Sequence, residues 1–219
     1  MITLTAFQWV PPFAQGVVRD LRVRWALEEA GIPYAERLLA LGDGDTSEYR
    51  AIQPWGQVPV MEEDGFSMFE SGAIVLRVAE KSEALCPMDD RGRARMIQWL
   101  FAAVNSVEPH LANLAAIDLF HAGEEWAKLR RPGAEAFARM KLASLARHLQ
   151  GREYLEGRFT AGDLMMATVL LIARDTDIVT SDPVLGPYLA RCLDRPAYRK
   201  ALADQMAPFA KHAPDMEPA

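Results

Sequence analysis

Cysteine is scarce in this chain: Cys86 and Cys192 are the only two among 219 residues, and they stand far apart. They form no CxxC pair and no metal-ligand spacing, so both are expected to be plain buried or half-buried thiols. The four histidines, His110, His121, His148 and His212, are equally scattered, and no metal site can be written from them. Long apolar runs are lacking too. The most apolar stretch, near Leu164–Ala173, is interrupted by Thr168 and followed by Arg174 and Asp175. A membrane span needs about 18 apolar residues, so none is expected. Positive charge is in deficit, with 24 Lys and Arg against 30 Asp and Glu and a net charge of −6. Duplex binding wants a basic face, which excludes nucleic acid as the main partner. The start, Met1-Ile2-Thr3-Leu4-Thr5, has neither a basic region nor a small-residue cleavage site, so a cytoplasmic location is expected. Internal repeats and low-complexity tracts are absent.

What is present is apolar material: half of the residues are hydrophobic, enough for a substantial core. Over the first 80 positions strand and helix signals alternate. Ile2, Leu4 and Ala6 alternate with Thr3 and Thr5, predicting a short strand. Asp20 to Ala30 reads as a helix, with Asp20 as N-cap, an Arg24–Glu28 pair of i,i+4 type, and Gly31 and Pro33 as the stop. Tyr34 to Leu39 forms a second strand, parallel to the first through a right-handed crossover. A short helix follows near Ser47–Ile52. Val58 to Glu62 and Phe66 to Phe69, joined by Asp64-Gly65, form a hairpin, and Ser71 to Glu80 a helix. A linker is expected over 82–91. Beyond it everything is helical, with a kink or break at Pro109, Pro132 in the first turn of a helix that turns Phe137, Met140 and Leu145 inward, and helix starts at Asp182/Pro183 and Pro196. The chain should fray from about Ala213.

Two stretches carry chemistry. In Gln53-Pro54-Trp55-Gly56-Gln57-Val58-Pro59-Val60-Met61 a proline opens an apparent strand, where it cannot donate to the ladder. A cis Val58–Pro59 bond is one resolution; it would turn the chain and leave the Val58 backbone groups available. In Glu70-Ser71-Gly72-Ala73-Ile74 a helix begins, and helix starts offer unpaired N–H groups to a carboxylate. Ser71 adds a hydroxyl donor and Glu70 an acceptor for an ammonium group, which together suit an α-amino acid head. The same two residues also fit a purely structural role, capping the helix and favouring its dipole.

These two motifs, in order, resemble the glutathione-site signature of the cytosolic glutathione transferase family, with a zeta- or beta-like N-terminal pattern. Leu21 to Tyr34 resembles that family's first helix and second strand. Phe159-Thr160-Ala161-Gly162-Asp163-Leu164 resembles its buried capping box. The resemblance spans about residues 1–207. It implies an α/β plus all-α fold: a thioredoxin-like glutathione-binding domain over 1–81, then an all-helical domain over 92–212. It implies that Pro59 is cis, that the Val58 backbone pairs with the cysteinyl part of glutathione, that Glu70 and Ser71 hold the γ-glutamyl head, and that Gln57 adds a polar contact. Glutathione is then the co-substrate, a small hydrophobic electrophile its partner, and a homodimer the assembly. Thr160 and Asp163, in contrast, read as a folding device.

One family feature is missing. Transferases of this kind place a Tyr, Ser or Cys shortly after the first strand, where it acts on the glutathione sulfur. Phe7 to Asp20 contains none of the three. Arg19, with the amides at the start of the first helix, is the candidate to stabilise a thiolate. The apolar members of this loop, Trp9 and Phe13 among them, are candidates for a hydrophobic substrate pocket. Three functions stay open: conjugation of glutathione to hydrophobic electrophiles in detoxification, glutathione-dependent disulfide or peroxide reduction without a protein cysteine, and a non-catalytic binding module on the same fold.

Overall fold

The computed structural model describes residues 1–214, so most of the end expected to fray lies outside the described residues. In chain order the elements are β1 (Ile2–Phe7), α1 (Asp20–Ala30), β2 (Tyr34–Leu39), α2 (Ser47–Arg50), β3 (Val60–Glu63), β4 (Phe66–Phe69) and α3 (Ser71–Ala79). Helices α4 (Asp90–Phe101), α5 (Glu108–Phe120), α6 (Glu125–Leu149), α7 (Ala161–Leu170), α8 (Leu185–Leu193) and α9 (Pro196–Lys211) follow. The chain divides into two compact units, Met1–Lys81 with α9, and Ser82–Arg195.

The first unit is thioredoxin-like: a four-stranded mixed sheet in the order β2-β1-β3-β4 with helices packed on it. β1 runs parallel to β2, from Ile2 opposite Tyr34 to Phe7 opposite Leu39. β3 runs antiparallel to β1, with Thr5 opposite Val60, and β4 returns along β3. The hairpin turn has positive φ at both central residues, 52° at Asp64 and 81° at Gly65, the conformation whose twist matches two flanking strands. β3 begins at Val60, two residues later than its apolar run, because Pro59 has no N–H for the ladder.

Helix α1 departs from the pattern of a half-exposed helix: every residue from Asp20 to Leu27 is buried. The sequence places Asp20 at the N-cap, but Arg19 occupies that position, without a side-chain cap bond, and Asp20 is the first helical residue. Arg24 turns away from Glu28: its Nε donates to Asp20 at 2.7 Å and its Nη1 to Glu36 on β2. Glu28 is paired instead with Lys200, at 3.0 Å. The cover over α1 is α9, which the sequence groups with the helical half. Tyr198 meets Trp25 edge-on with ring centroids 4.8 Å apart, and the Gln205 amide donates to Asp20 at 2.8 Å. Buried charges are tolerable only when paired and hydrogen-bonded, which is what α9 and β2 supply.

In the second unit the Asp89 side chain accepts from the Gly92 amide at 2.8 Å and caps α4, so this helix starts inside the stretch expected as linker. Ahead of Pro109 the chain forms a π-helical stretch, Ala102–Val107, and Pro109 then falls in the first turn of α5, where no N–H is required. Pro132 lies inside α6 and not in its first turn. The buried side of α6 is Ala127, Ala134, Ala138, Leu142, Leu145 and Leu149, a seam of small residues and leucines that permits close helix approach. Phe137 and Met140, expected inside, lie off this seam and are about half exposed, at 51% and 52%, whereas Leu145 is buried as expected. Both cysteines are free and buried, and burial pushes the Cys192 thiol well up.

Thr160 and Asp163 form the capping box at the start of α7. The Asp163 carboxylate accepts from the Thr160 amide at 3.0 Å, the Leu155 amide at 2.8 Å, and the hydroxyls of Thr160 and Tyr188 at 3.1 Å each. Burial raises its pKa to about 6 against the pull of these donors. No helix among the described residues is long and apolar enough to cross a membrane.

Candidate functional site

The β3–β4 pairing assembles the site. Val60 lies opposite Phe69 at the end of the hairpin. One residue beyond this pair stand Pro59 on one strand and Glu70 on the other, so the Val58–Pro59 turn and the start of α3 are held side by side. The Val58–Pro59 peptide bond is cis, as the family resemblance implies. Val58 and Pro59 are buried, and no hydrogen bond among the described residues engages the Val58 backbone. A buried residue whose peptide groups have no partner is uncommon.

The loop before this turn is fixed from several sides. The Tyr49 hydroxyl donates to the Gln57 carbonyl at 2.7 Å. Burial lifts the Tyr49 phenol to about 12, so it remains a donor through neutral pH. The buried Gln53 side chain accepts from the Trp55 amide at 2.8 Å, and Arg50 joins Asp45 at 2.6 Å to the Pro54 carbonyl at 3.0 Å. Backbones approach closely here: a Cβ on Gly44 would lie 2.3 Å from the Gly56 carbonyl oxygen. The Gln57 side chain is exposed.

Glu70 is the N-cap of α3 and adopts φ 70°, ψ 108°, a region that residues with a side chain rarely enter. Its carbonyl accepts from the Ile74 amide at 2.9 Å, which leaves the preceding amides of the first turn directed out of the helix. Its side chain is exposed. Ser71 is 5% exposed. Its Oγ accepts from Nη1 of Arg22 at 3.3 Å, and among the described residues its hydroxyl proton has no acceptor.

Arg22 is the residue that the sequence did not single out. A charge between Leu21 and Val23 on a helix reads as a solvated face, yet this guanidinium is 4% exposed and lies between α1 and α3. The only available sign was that Asp20, Arg22 and Arg24 interrupt the apolar positions too regularly for one clean polar side.

Arg19 is exposed at the N-cap of α1, one turn before Arg22, and its carbonyl accepts from the Arg22 amide at 3.2 Å. The Leu21 amide is likewise taken, by the Val18 carbonyl at 3.0 Å. The amides expected to face a sulfur at this helix start are therefore engaged, and Asp20 places a carboxylate in the same first turn. That corrects the expectation of a helix-end contribution; what the segment offers is the Arg19 side chain. Trp9 is half-buried and Phe13 is 44% exposed in the short 3-10 turn Pro12–Ala14. Among the described residues no group of three or more His, Cys, Asp or Glu is placed to hold a metal ion.

Residues 21–81 match the family described as glutathione S-transferase, N-terminal domain. A probable maleylacetoacetate isomerase 2 of Drosophila melanogaster is 34% identical over 110 residues, 48% of this chain and 47% of that protein. The disulfide-bond oxidoreductase YfcG of Escherichia coli is 37% identical over 94 residues, 39% of this chain and 44% of that protein. The chain thus spans about half the length of the curated relatives it matches. Among solved structures, a glutathione transferase from Burkholderia graminis with two glutathione molecules bound per subunit superposes with a TM-score of 0.79 at 25% identity, covering 92% of this chain and 87% of that one.

Proposed function

We propose that this chain, which belongs to the glutathione S-transferase family, binds glutathione in the cytoplasm as a homodimer and transfers its thiolate to small hydrophobic electrophiles. The observation that carries the reading is the pairing of two groups: the Val58 backbone beside the cis proline, which has no hydrogen-bond partner among the described residues, and the Ser71 hydroxyl, whose proton has no acceptor among them. The residues fit the ligand. A γ-glutamyl carboxylate takes the Ser71 hydroxyl and the first amides of α3, its ammonium takes Glu70, and the cysteinyl amide takes the Val58 backbone. Gln57 stands exposed at the rim for a further polar contact.

Glutathione supplies the nucleophile. The protein contributes orientation and a lowered thiol pKa. We assign that task to Arg19, since a guanidinium keeps its charge at every working pH. Trp9 and Phe13 offer the apolar wall for the electrophile.

A second reading, glutathione-dependent disulfide or peroxide reduction, is favoured by one observation. Both cysteines are buried and the segment from Phe7 to Asp20 holds no hydroxyl, so any thiol chemistry must be carried by glutathione itself. Calorimetric titration with glutathione tests the shared premise; a flat titration of folded protein makes the chain a module of other function. Turnover of an aromatic electrophile against turnover of hydroxyethyl disulfide then separates conjugation from reduction.

A further inference from the structure

We propose that Arg22 is a positioning residue of this site, holding the Ser71 hydroxyl so that its proton points at the ligand carboxylate. The inference rests on the glutathione reading above and assigns a role to a side chain outside the expected set.

A serine hydroxyl has one proton and two lone pairs, and it rotates to suit its surroundings. Left alone at a helix start, it can turn back and accept from the helix's own amides, as the Thr160 hydroxyl does from Gly162 at 3.2 Å. At Ser71 the oxygen is already claimed by the Arg22 guanidinium at 3.3 Å, and both side chains are more than nine-tenths buried. Acceptance from a cation strengthens the hydroxyl as a donor, because each bond polarises the next. The proton then has to find an acceptor outside the described residues. A carboxylate arriving at the start of α3 is such an acceptor.

Arg22 therefore acts through Ser71, and its effect must depend on both Ser71 and the ligand carboxylate. The test is calorimetry on wild type, Arg22→Gln, Ser71→Ala and the double variant, each checked for native melting. Two probes are used: glutathione, and the analogue in which a γ-aminobutyryl group replaces γ-glutamyl and so lacks that carboxylate. We expect Arg22→Gln to weaken glutathione about tenfold, the scale of one hydrogen bond to a charged group. The analogue should be nearly unaffected, and so should glutathione in the Ser71→Ala background. Equal losses for both probes, or additive losses in the double variant, overturn the role of Arg22 while leaving glutathione binding intact. Absence of binding to wild type overturns the site reading and this proposal with it. Should Arg22→Gln fail to fold, Arg22→Lys, which keeps the charge but not the planar fork, decides by the same comparison: loss confined to glutathione supports the proposal, and loss for both probes overturns it.

Discussion

The Tyr188 hydroxyl donates to the Asp163 carboxylate at 3.1 Å, from α8 back to the first turn of α7. It is one of four donors converging on a carboxylate that is fully shielded from solvent. Removing the acceptor strands the Leu155 amide, the Thr160 amide and the Tyr188 hydroxyl in the interior. Removing the Thr160 hydroxyl loses only a cap. We therefore expect Thr160→Ala to cost about 0.5–2 kcal/mol. Asp163→Ala should cost clearly more, since each stranded buried donor carries a penalty of about 1–3 kcal/mol. Denaturant titrations measure both, and equal costs would show that the four-donor arrangement contributes nothing beyond the cap.

Asp163 also sets a pH signature. Burial raises its pKa from 3.8 to about 6 in the folded protein. The folded state thus holds this proton more tightly than the unfolded chain does. The resulting penalty is absent below the unfolded pKa, grows as pH rises from about 4 to 6, and is complete above the folded value. The shift corresponds to about 3 kcal/mol. The stability difference between wild type and Asp163→Asn, measured from pH 4 to 7, should therefore move against wild type as pH rises. A difference that stays constant across the window contradicts the raised pKa.

Ser71→Ala should weaken glutathione by about 1.5–3 kcal/mol, the range for a hydrogen bond to a charged group. The melting temperature should fall too, because the buried Arg22 guanidinium loses an acceptor, so affinity is compared in a variant shown to be folded. Unchanged affinity in the folded variant would remove Ser71 from the binding site.

For the sulfur, Arg19→Ala should raise the pKa of bound glutathione toward the free-thiol value of about 8.5 and slow turnover near neutral pH. At high pH the loss should fade, since the thiol ionises there without help. Ultraviolet titration of the bound thiolate in both proteins reads this directly; superimposable curves exclude Arg19.

The strands, the Asp64-Gly65 hairpin and the capping box were legible because each rests on local chemistry, whereas Val58, Pro59, Glu70 and Ser71 stood out through the family resemblance. Turn residues, caps and a proline without an N–H act within a few positions of themselves. Arg22, Arg24 and the phase of α6 were not legible, because their state depends on what covers them. Arg24 becomes a core residue only once Asp20, Glu36 and α9 surround it. Phe137 and Met140 are apolar enough to be placed inside, yet the seam that is buried runs through Ala134 and Ala138 and leaves both half exposed. The role of Gly44 was hidden for the same reason, since only the fold brings it against Gly56.

The first unit is assembled from both ends of the chain, with α9 supplying Tyr198 and Gln205 to the buried side of α1. On the ribosome, where domains generally fold as they emerge at about 5–20 residues per second, the strands and α1 appear early but their last partner arrives only after Pro196. The helical unit, contiguous from Ser82 to Arg195, can close before the unit that precedes it. A message interrupted in the region of α8 would release a chain in which the sequence of the candidate site is complete, while the Trp25 ring and the Asp20–Arg24 ion pair lack their cover. Quality control would meet it as an unfinished protein.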